Sequence, residues 1–325
     1  MQRRQFASAL LALGAMPLAA GAQPSFSSKP IRIMVPFGPG GVADLTVRIV
    51  AQKMTELLGG QPIIVDNKPG AGGVVAAEQV VRAAPDGLTL LLMSNANAVA
   101  EGLFKSLSYN AAKDFAPIST LGYFDLAVLV PQDSPIRSLQ DLVAQAKARP
   151  GKLNIGTINM GSTQHLAAEL LKTTLGIDVQ IVPFNGSPAV LNALRGKQVD
   201  AAVEILAPVM AQVSGKVLRA LAVMGDKRAP GLPQVPTVAE SDPVAKGFSV
   251  ASWNALAAPA KTPQSVIARL NQAANAALAL PDVKQRLQGL GVEARGSTAE
   301  QQAALLNSEI QRWGAVIQRA GIPKQ

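Results

Sequence analysis

Three side chains in this sequence have the chemistry for work on a small molecule: Asp44, Glu204 and the single histidine, His165. Their surroundings narrow what that work is. With one histidine and no cysteine, the chain has no means to build a multi-histidine zinc centre, a thiolate nucleophile, a disulfide or a soft-metal ligand set, and no metal or cofactor is expected. Ser162 precedes His165 by three residues, but no G-x-S-x-G turn surrounds it. His165 falls on the first turn of a helical pattern, where packing or capping is the commoner role, so no catalytic residue is assigned. Asp44 falls in the first turn of another helical pattern, where it either braces the loop before it or contacts a ligand. Glu204 stands near the end of a strand pattern among Ala201, Ala202, Val203, Ile205 and Leu206. A carboxylate there is costly to bury unless paired, so it meets either a ligand donor or a salt-bridge partner.

The loops next to these residues are built for contact through the backbone. Val35-Pro36-Phe37-Gly38-Pro39-Gly40-Gly41-Val42-Ala43-Asp44 carries a strand pattern into a helix pattern with few side chains in the way. Backbone N–H groups at a helix start attract anions, which makes this loop a candidate carboxylate cradle. A dinucleotide fingerprint is excluded: Ala43 and Val75 stand where the third glycines would fall, Pro39 does not suit that turn, and no G-x-x-x-x-G-K-[ST] occurs. Four strand-to-helix loops, 36–44, 94–97, 159–164 and 184–188, share this small, polar composition. In a parallel α/β sheet such loops gather at the carboxyl ends of the strands, the usual ligand face. They supply the candidate ligand-binding residues Phe37, Pro39, Gly40, Gly41 and Asp44, then Ser94 and Asn95, then Ser162 and Thr163, then Phe184, Asn185, Gly186 and Ser187, with Glu204 beside them. Phe184 and Trp253 either wall the pocket or serve the core or hinge.

What must position these loops is an α/β frame. Strand and helix signals alternate: a strand at 31–35, a helix at 42–58, then strands at 63–65 and 88–93, with 94–97 as a polar loop and an irregular stretch to Phe115. A second unit begins with a strand at 126–130 and runs through strands at 153–158, 179–184, 199–205 and 218–223. A strand at 253–259 and three helices, the last at 298–319, close the chain. The arrangement predicts one domain interrupted by another, 23–125 plus 249–325 around 126–248, with two crossings near 125 and 249 as a hinge.

The bulk properties fit an exported binding protein. At 325 residues and 48% apolar content the chain has enough material for two cores. Arg3 and Arg4, the short apolar stretch 6–18 and Ala20-Gly21-Ala22 read as a signal peptide over 1–22, of Sec or twin-arginine type, cleaved near Ala22. The formal charge is +9, spread without a basic block, and only 4% of residues are aromatic. This speaks against a nucleic-acid surface, while the positive field helps draw in anions.

With these residues in view, the chain resembles the periplasmic solute receptors of tripartite tricarboxylate transporters, the Bug receptors. The resemblance rests on Lys29-Pro30-Ile31-Arg32, the 35–41 loop with Asp44, Asn67-Lys68-Pro69-Gly70-Ala71-Gly72-Gly73, Ala84-Pro85-Asp86-Gly87, Lys113-Asp114-Phe115, His165-Leu166-Ala167, Val182-Pro183-Phe184, Leu218-Arg219-Ala220-Leu221-Ala222-Val223, the run 232–240 and Ala320-Gly321-Ile322. These matches follow in order along essentially the whole mature chain. The resemblance implies a type II periplasmic-binding-protein fold, two α/β domains with a hinge and an interdomain ligand cleft. It further implies that loops 37–41 and 184–188 act as pincers on a carboxylate, partly through water, with 161–164 and 94–97 facing the cleft. Where the family commonly has Tyr, a polar or basic residue, and Asp, this chain has Phe184, Asn185 and Glu204. The longer Glu204 favours a smaller ligand or one offering a donor.

The expected function is therefore a non-catalytic periplasmic receptor, a monomer, that closes on a small carboxylate and presents it to membrane permease subunits. Two other classes stay open: a ligand sensor serving a signalling partner, and a periplasmic hydrolase or isomerase using Asp44 or Glu204.

Overall fold

The computed structural model describes residues 29–325; the signal peptide read over 1–22 lies outside them. The chain begins β1 (Ile31–Val35), α1 (Val42–Leu57), β2 (Ile63–Asn67), α2 (Val74–Val81), β3 (Thr89–Ser94) and α3 (Asn95–Leu103). Next come β4 (Phe115–Pro131), α4 (Leu139–Ala148), β5 (Asn154–Ile158), α5 (Thr163–Leu175), β6 (Gln180–Phe184), α6 (Ser187–Arg195), β7 (Ala201–Ile205), α7 (Leu206–Ser214), β8 (Leu218–Val223) and α8 (Val238–Ser241). The chain ends with β9 (Ala251–Pro259), α9 (Gln264–Ala279), α10 (Pro281–Gly289), β10 (Glu293–Ala294) and α11 (Ala299–Arg319).

Two groups of parallel strands carry the loops of interest. β2, β1 and β3 pair in parallel, and so do β7, β5 and β6. Leu90 to Met93 are all fully buried, which is why β3 reads as an unbroken apolar run: helices cover both faces of the sheet. Antiparallel β9 joins β3 to β4. One face, with Val35, Leu92 and Leu256, packs under α1 and α9; the other, with Met34, Met93 and Trp253, packs against a cluster that includes Trp313 of α11. A third cluster around Ala127, Ala202 and Leu194 lies beneath α6 and α7.

β4 differs from its expected length. Instead of a strand at 126–130 after an irregular stretch, it is a 17-residue strand. From Phe115 to Asp125 it pairs with β9; from Leu126 to Pro131 it pairs with β7 and β8. Register shifts between Pro117 and Ser119 and between Thr120 and Gly122 interrupt the alternation, so its first half carries no clean period of two. Gly122 is required there: a Cβ would come within 2.5 Å of Val292 and 2.8 Å of the Glu293 carbonyl oxygen, because β10 lies directly against it. Two further corrections concern helices. Residues 95–97 open α3 rather than forming a loop, with Ser94 as N-cap and Asn97 closing the reciprocal bond. Helix α7 follows β7 directly; Pro208 in its first turn is tolerated because that position has no helical hydrogen bond to lose.

The point where β4 passes between the two strand groups is charged. Asp125 stands there with Gly225 packed against it, close enough that a Cβ on Gly225 would sit 2.6 Å from Oδ1. Lys227 reaches Glu293 at 3.0 Å, and the Arg295 guanidinium lies 3.9 Å above the Tyr123 ring. Burial pushes the Asp125 carboxyl up to about 6, with Glu293 and Asp226 adding to the rise and Lys227 and Arg295 opposing it. The folded protein thus holds this proton more tightly than the unfolded chain. Stability is lost as pH climbs from 3.8 to about 6, and the full penalty applies above that. Asp125→Asn should therefore stabilise the protein at pH 7 by about 1–2 kcal/mol, the side chain being only partly shielded from water. Urea melts at pH 7 and pH 4 check this: the gain should shrink at the lower pH.

Candidate functional site

The first candidate loop is held from behind by a buried carboxylate. Asp44, 1% exposed, accepts from the Gly40 N–H at 2.9 Å, from Asn67 Nδ2 at 2.8 Å and from Arg48 Nε at 3.0 and 3.1 Å. Asn67 Nδ2 also donates to the Phe37 carbonyl at 3.0 Å, and its Oδ1 accepts from Arg48. Burial alone would raise the Asp44 pKa, but bonds from Arg48, Gly40 and Asn67 outweigh it and hold the carboxyl below its usual range. Asp44 thus braces the loop and has its oxygens engaged within the protein. The loop it holds is open: Phe37, Pro39, Gly40 and Gly41 are all exposed. Gly40 takes φ +82°, a left-handed conformation that suits glycine. The first-turn N–H groups of α1 have no helical acceptor and no side-chain cap, the condition in which a helix start attracts anions.

The second loop has the same construction from different residues. Gly186, at φ +89°, is the N-cap of α6, and Ser187 follows it. Ser187 Oγ donates to Glu204 Oε2 at 2.8 Å, and Gln164 Nε2 approaches the same oxygen at 3.5 Å. Glu204 is 1% exposed, its Oε1 has no partner among the described residues, and it forms no salt bridge there. Burial raises its pKa, with Ser187, Gln164 and the Ile205 backbone opposing the rise. Phe184 is half-buried and packs over Gly156, whereas Asn185 is exposed. A cluster of Glu204, Ser187 and Gln164 therefore joins the ends of β7, α6 and α5.

The other two loops are tied down more tightly. Asn95, 1% exposed, donates to Glu309 Oε2 at 3.0 Å and accepts from the Trp253 N–H at 2.9 Å and from Ser252. Its side chain fastens α3 to β9 and α11. Ser94 Oγ accepts from the Ala96 N–H. Ser162 caps α5, accepting the His165 N–H at 3.1 Å and donating to the Ile158 carbonyl, while Thr163 is half-buried beside it. That geometry is a helix cap rather than a nucleophile and base. His165 is 3% exposed, and burial lowers its pKa. Gly161 brings this loop against α3: a Cβ there would lie 2.3 Å from Leu103.

Among the described residues no cluster of His, Asp or Glu could hold a metal ion. A cavity of about 640 Å³ opens at the edge formed by β4 and β10, lined by Tyr123, Asp125, Met210, Lys227 and Glu293 among others. It contains none of the loop residues named above, so the candidate site is defined by the loops and not by this cavity. Sequence reasoning did not single out Asn67, and it included Gln164 only as the end of loop 159–164, not as a residue that contacts Glu204. Asn67 ends a strand just before the Lys68-Pro69-Gly70 turn, a position that could have marked it as a loop brace. Gln164 stands where loop 159–164 passes into a helical pattern, and nothing local to it pointed to Glu204, 40 residues away.

Comparison with known proteins agrees with this architecture. Residues 46–322 match the profile of the tripartite tricarboxylate transporter family receptors. The chain is 35% identical over 300 residues to protein BugT of Bordetella pertussis, covering 91% of each. Among solved structures, Rpa4515 of Rhodopseudomonas palustris with adipate superimposes with a TM-score of 0.80 at 31% identity, over 91% of this chain and 98% of that one. MatC from Rhodopseudomonas palustris, with bound malate, gives a TM-score of 0.74 at 32% identity, over 89% and 98%. The α/β periplasmic-binding-protein fold expected from the sequence is the fold found, and the chain belongs to the tripartite tricarboxylate transporter receptor family.

Proposed function

We propose that this chain is a periplasmic solute receptor that captures a small carboxylate between loops 37–41 and 184–188 and delivers it to the permease subunits of a tripartite transporter. The observation that carries the reading is the matched construction of the two loops. Each precedes a helix N-terminus, and each is fixed by a carboxylate with 1% exposure behind it, Asp44 for one and Glu204 for the other. A bound carboxylate would gain from both helix starts, and neither loop would have to reorganise to meet it. The ligands of two structural relatives, malate and adipate, are carboxylates and support the same reading.

Capture requires two bodies that close. In this proposal 23–125 with 249–325 forms one, 126–248 the other, and they move about Asp125–Leu126 in β4 and the segment entering β9. The change of β4's pairing partners at that point supports this division. Closure is then driven by ligand contacts made only in the closed state. The mature receptor acts as a monomer in the periplasm after loss of 1–22 and performs no chemistry on its ligand.

A thermal-shift screen of mono-, di- and tricarboxylates, amino acids and aromatic acids tests the reading; absence of a shift with every carboxylate would reject it. With the acid that shifts most, Gly41→Glu should weaken calorimetric affinity at least tenfold by placing a negative charge in the cradle. Gly41→Ala should bind within about twofold of the parent, because φ is −76° and a Cβ there meets only the Gly38 carbonyl oxygen at 3.9 Å. Asp44→Asn should cost about 1–3 kcal/mol of stability at pH 7, since Arg48 and the Gly40 N–H lose a charged acceptor. The folded pKa of Asp44 is depressed, so its stabilisation is present above the unfolded value and is lost as pH falls through the folded one. The difference between parent and variant in urea melts should therefore shrink at acid pH below 3.8.

A further inference from the structure

The cavity of about 640 Å³ beside β10 plays no part in the receptor reading, because none of the candidate loop residues lines it. It opens at a gap in the pairing of β4: β10 pairs with Gly122 and Tyr123, β7 takes over at Leu126, and neither reaches Asp125. Two separate stretches of chain wall it, one supplying Leu206, Met210 and Asp226, the other Lys284, Val292 and Glu293. They touch where Gly291 lies against Ala207; a Cβ on Gly291 would sit 2.3 Å from the Ala207 Cβ. A space of this size between two packed units is the usual setting of a small-molecule site.

The bonding inside it is complete for one acid and incomplete for another. Lys227 reaches Glu293 at 3.0 Å, and Arg295 comes within 4.0 Å of it while lying over the Tyr123 ring. The Asp125 carboxylate is half-buried, yet among the described residues it makes no hydrogen bond and no ion pair. Gly225 beside it carries no side chain to cover it, and a Cβ there would fall 2.6 Å from Oδ1. Lys284 of α10 is exposed, so water solvates it. A carboxylate withdrawn from water without donors is costly, and Asp125 lacks the counter-charge that Glu293 has.

The group that would complete Asp125 is a cation, and the lining indicates which kind. Among the described residues no cluster of His, Asp or Glu could hold a metal ion. Leu206, Met210, Pro230 and Val292 give the cavity hydrocarbon surface instead. An ammonium or guanidinium head supplies charge-assisted N–H bonds to a carboxylate, and an attached apolar chain covers that surface. Lys227 and Arg295 are occupied with Glu293, which leaves Asp125 to the incoming head. We propose that this cavity is a second binding site, for a small organic cation consisting of an amine or guanidine on an apolar chain, with Asp125 holding the charged head. The site is independent of carboxylate capture at loops 37–41 and 184–188.

Calorimetry on the mature protein tests it with ethylamine, butylamine, hexylamine and butylguanidine, none of which carries a carboxylate, and with hexanol as the uncharged control. Hexylamine should saturate with a Kd of about 1 mM or tighter, more tightly than ethylamine and about tenfold or more tighter than hexanol. Asp125→Asn, which is expected to fold with greater stability at pH 7, should weaken hexylamine about tenfold. The pH dependence gives a second readout. Asp125 titrates at about 6, raised first by burial, with Asp226 and Lys227 after β8, Glu293 and Arg295 around β10, Tyr123 on its own strand and Lys284 of α10 lining the same cavity. Above that value the carboxylate attracts the head, and below it the neutral acid does not. Hexylamine affinity should therefore fall about tenfold from pH 7.5 to pH 5 in the parent and stay level in Asp125→Asn. No saturable binding of any amine, equal binding of hexanol, or an Asp125→Asn protein that binds hexylamine like the parent would overturn the site and leave the carboxylate receptor standing.

Discussion

A carboxylate taken out of water must find donors, and the protein meets that requirement twice, once in each group of parallel strands. Asp44 collects Gly40, Asn67 and Arg48 around its oxygens; Glu204 collects Ser187 and Gln164. In both cases a donor comes from a loop that precedes a helix, so solvation of the buried charge and rigidity of the loop are one interaction. The two sites differ in completeness. Asp44 is fully engaged and held ionised, whereas Glu204 keeps one oxygen unpartnered and has a raised pKa. The first fixes shape; the second still has bonding capacity toward something else.

The frame gives these loops their common direction. Parallel strands send their carboxyl ends one way, so β1 and β3 in one group, and β5, β6 and β7 in the other, each present their following helix starts together. β4 is the member common to both groups, and the charges packed around Asp125 mark where it changes partners. An ion pair between Lys227 and Glu293 spans that junction on the surface, where its net contribution is small. The burial of the Asp125 carboxyl beside two other acids has the greater effect on stability, and that effect is unfavourable at neutral pH.

Much of this was legible before any coordinates. Strands such as 31–35 and 218–223 are short apolar runs bounded by breakers, and α1 and α5 have clear helical spacing, so their positions followed directly. The 115–125 half of β4 was not legible because two register shifts break its alternation and because Pro117 and Gly122 look like punctuation. Residues 95–97 look like a loop because Asn and Ser favour turns; here the same polar side chains act as a helix cap and a fastening to β9. Helix α7 is short and carries Pro208, which hides it from a pattern search. For the candidate site, composition pointed to the loops and to Glu204 as candidates. The assignment of Asp44 and Asn95 to internal bonds could not be read from composition, since their partners, Asn67 and Trp253, lie 23 and 158 residues away in sequence.

That long separation also governs how the molecule can be assembled. β9 is the strand between β3 and β4, yet it is made only after the whole of 126–248. Until it arrives, β3 and the first half of β4 each present a free edge, and the sheet holding loop 37–41 is unfinished. Pairs such as Ser94 with Asn254 close loops of great length, the kind of contact that forms slowly. The stretch 126–248, by contrast, supplies β5, β6, β7 and β8 without interruption. The nascent chain can therefore complete its middle before its beginning, and loop 37–41 is among the last parts of the molecule to acquire its final shape.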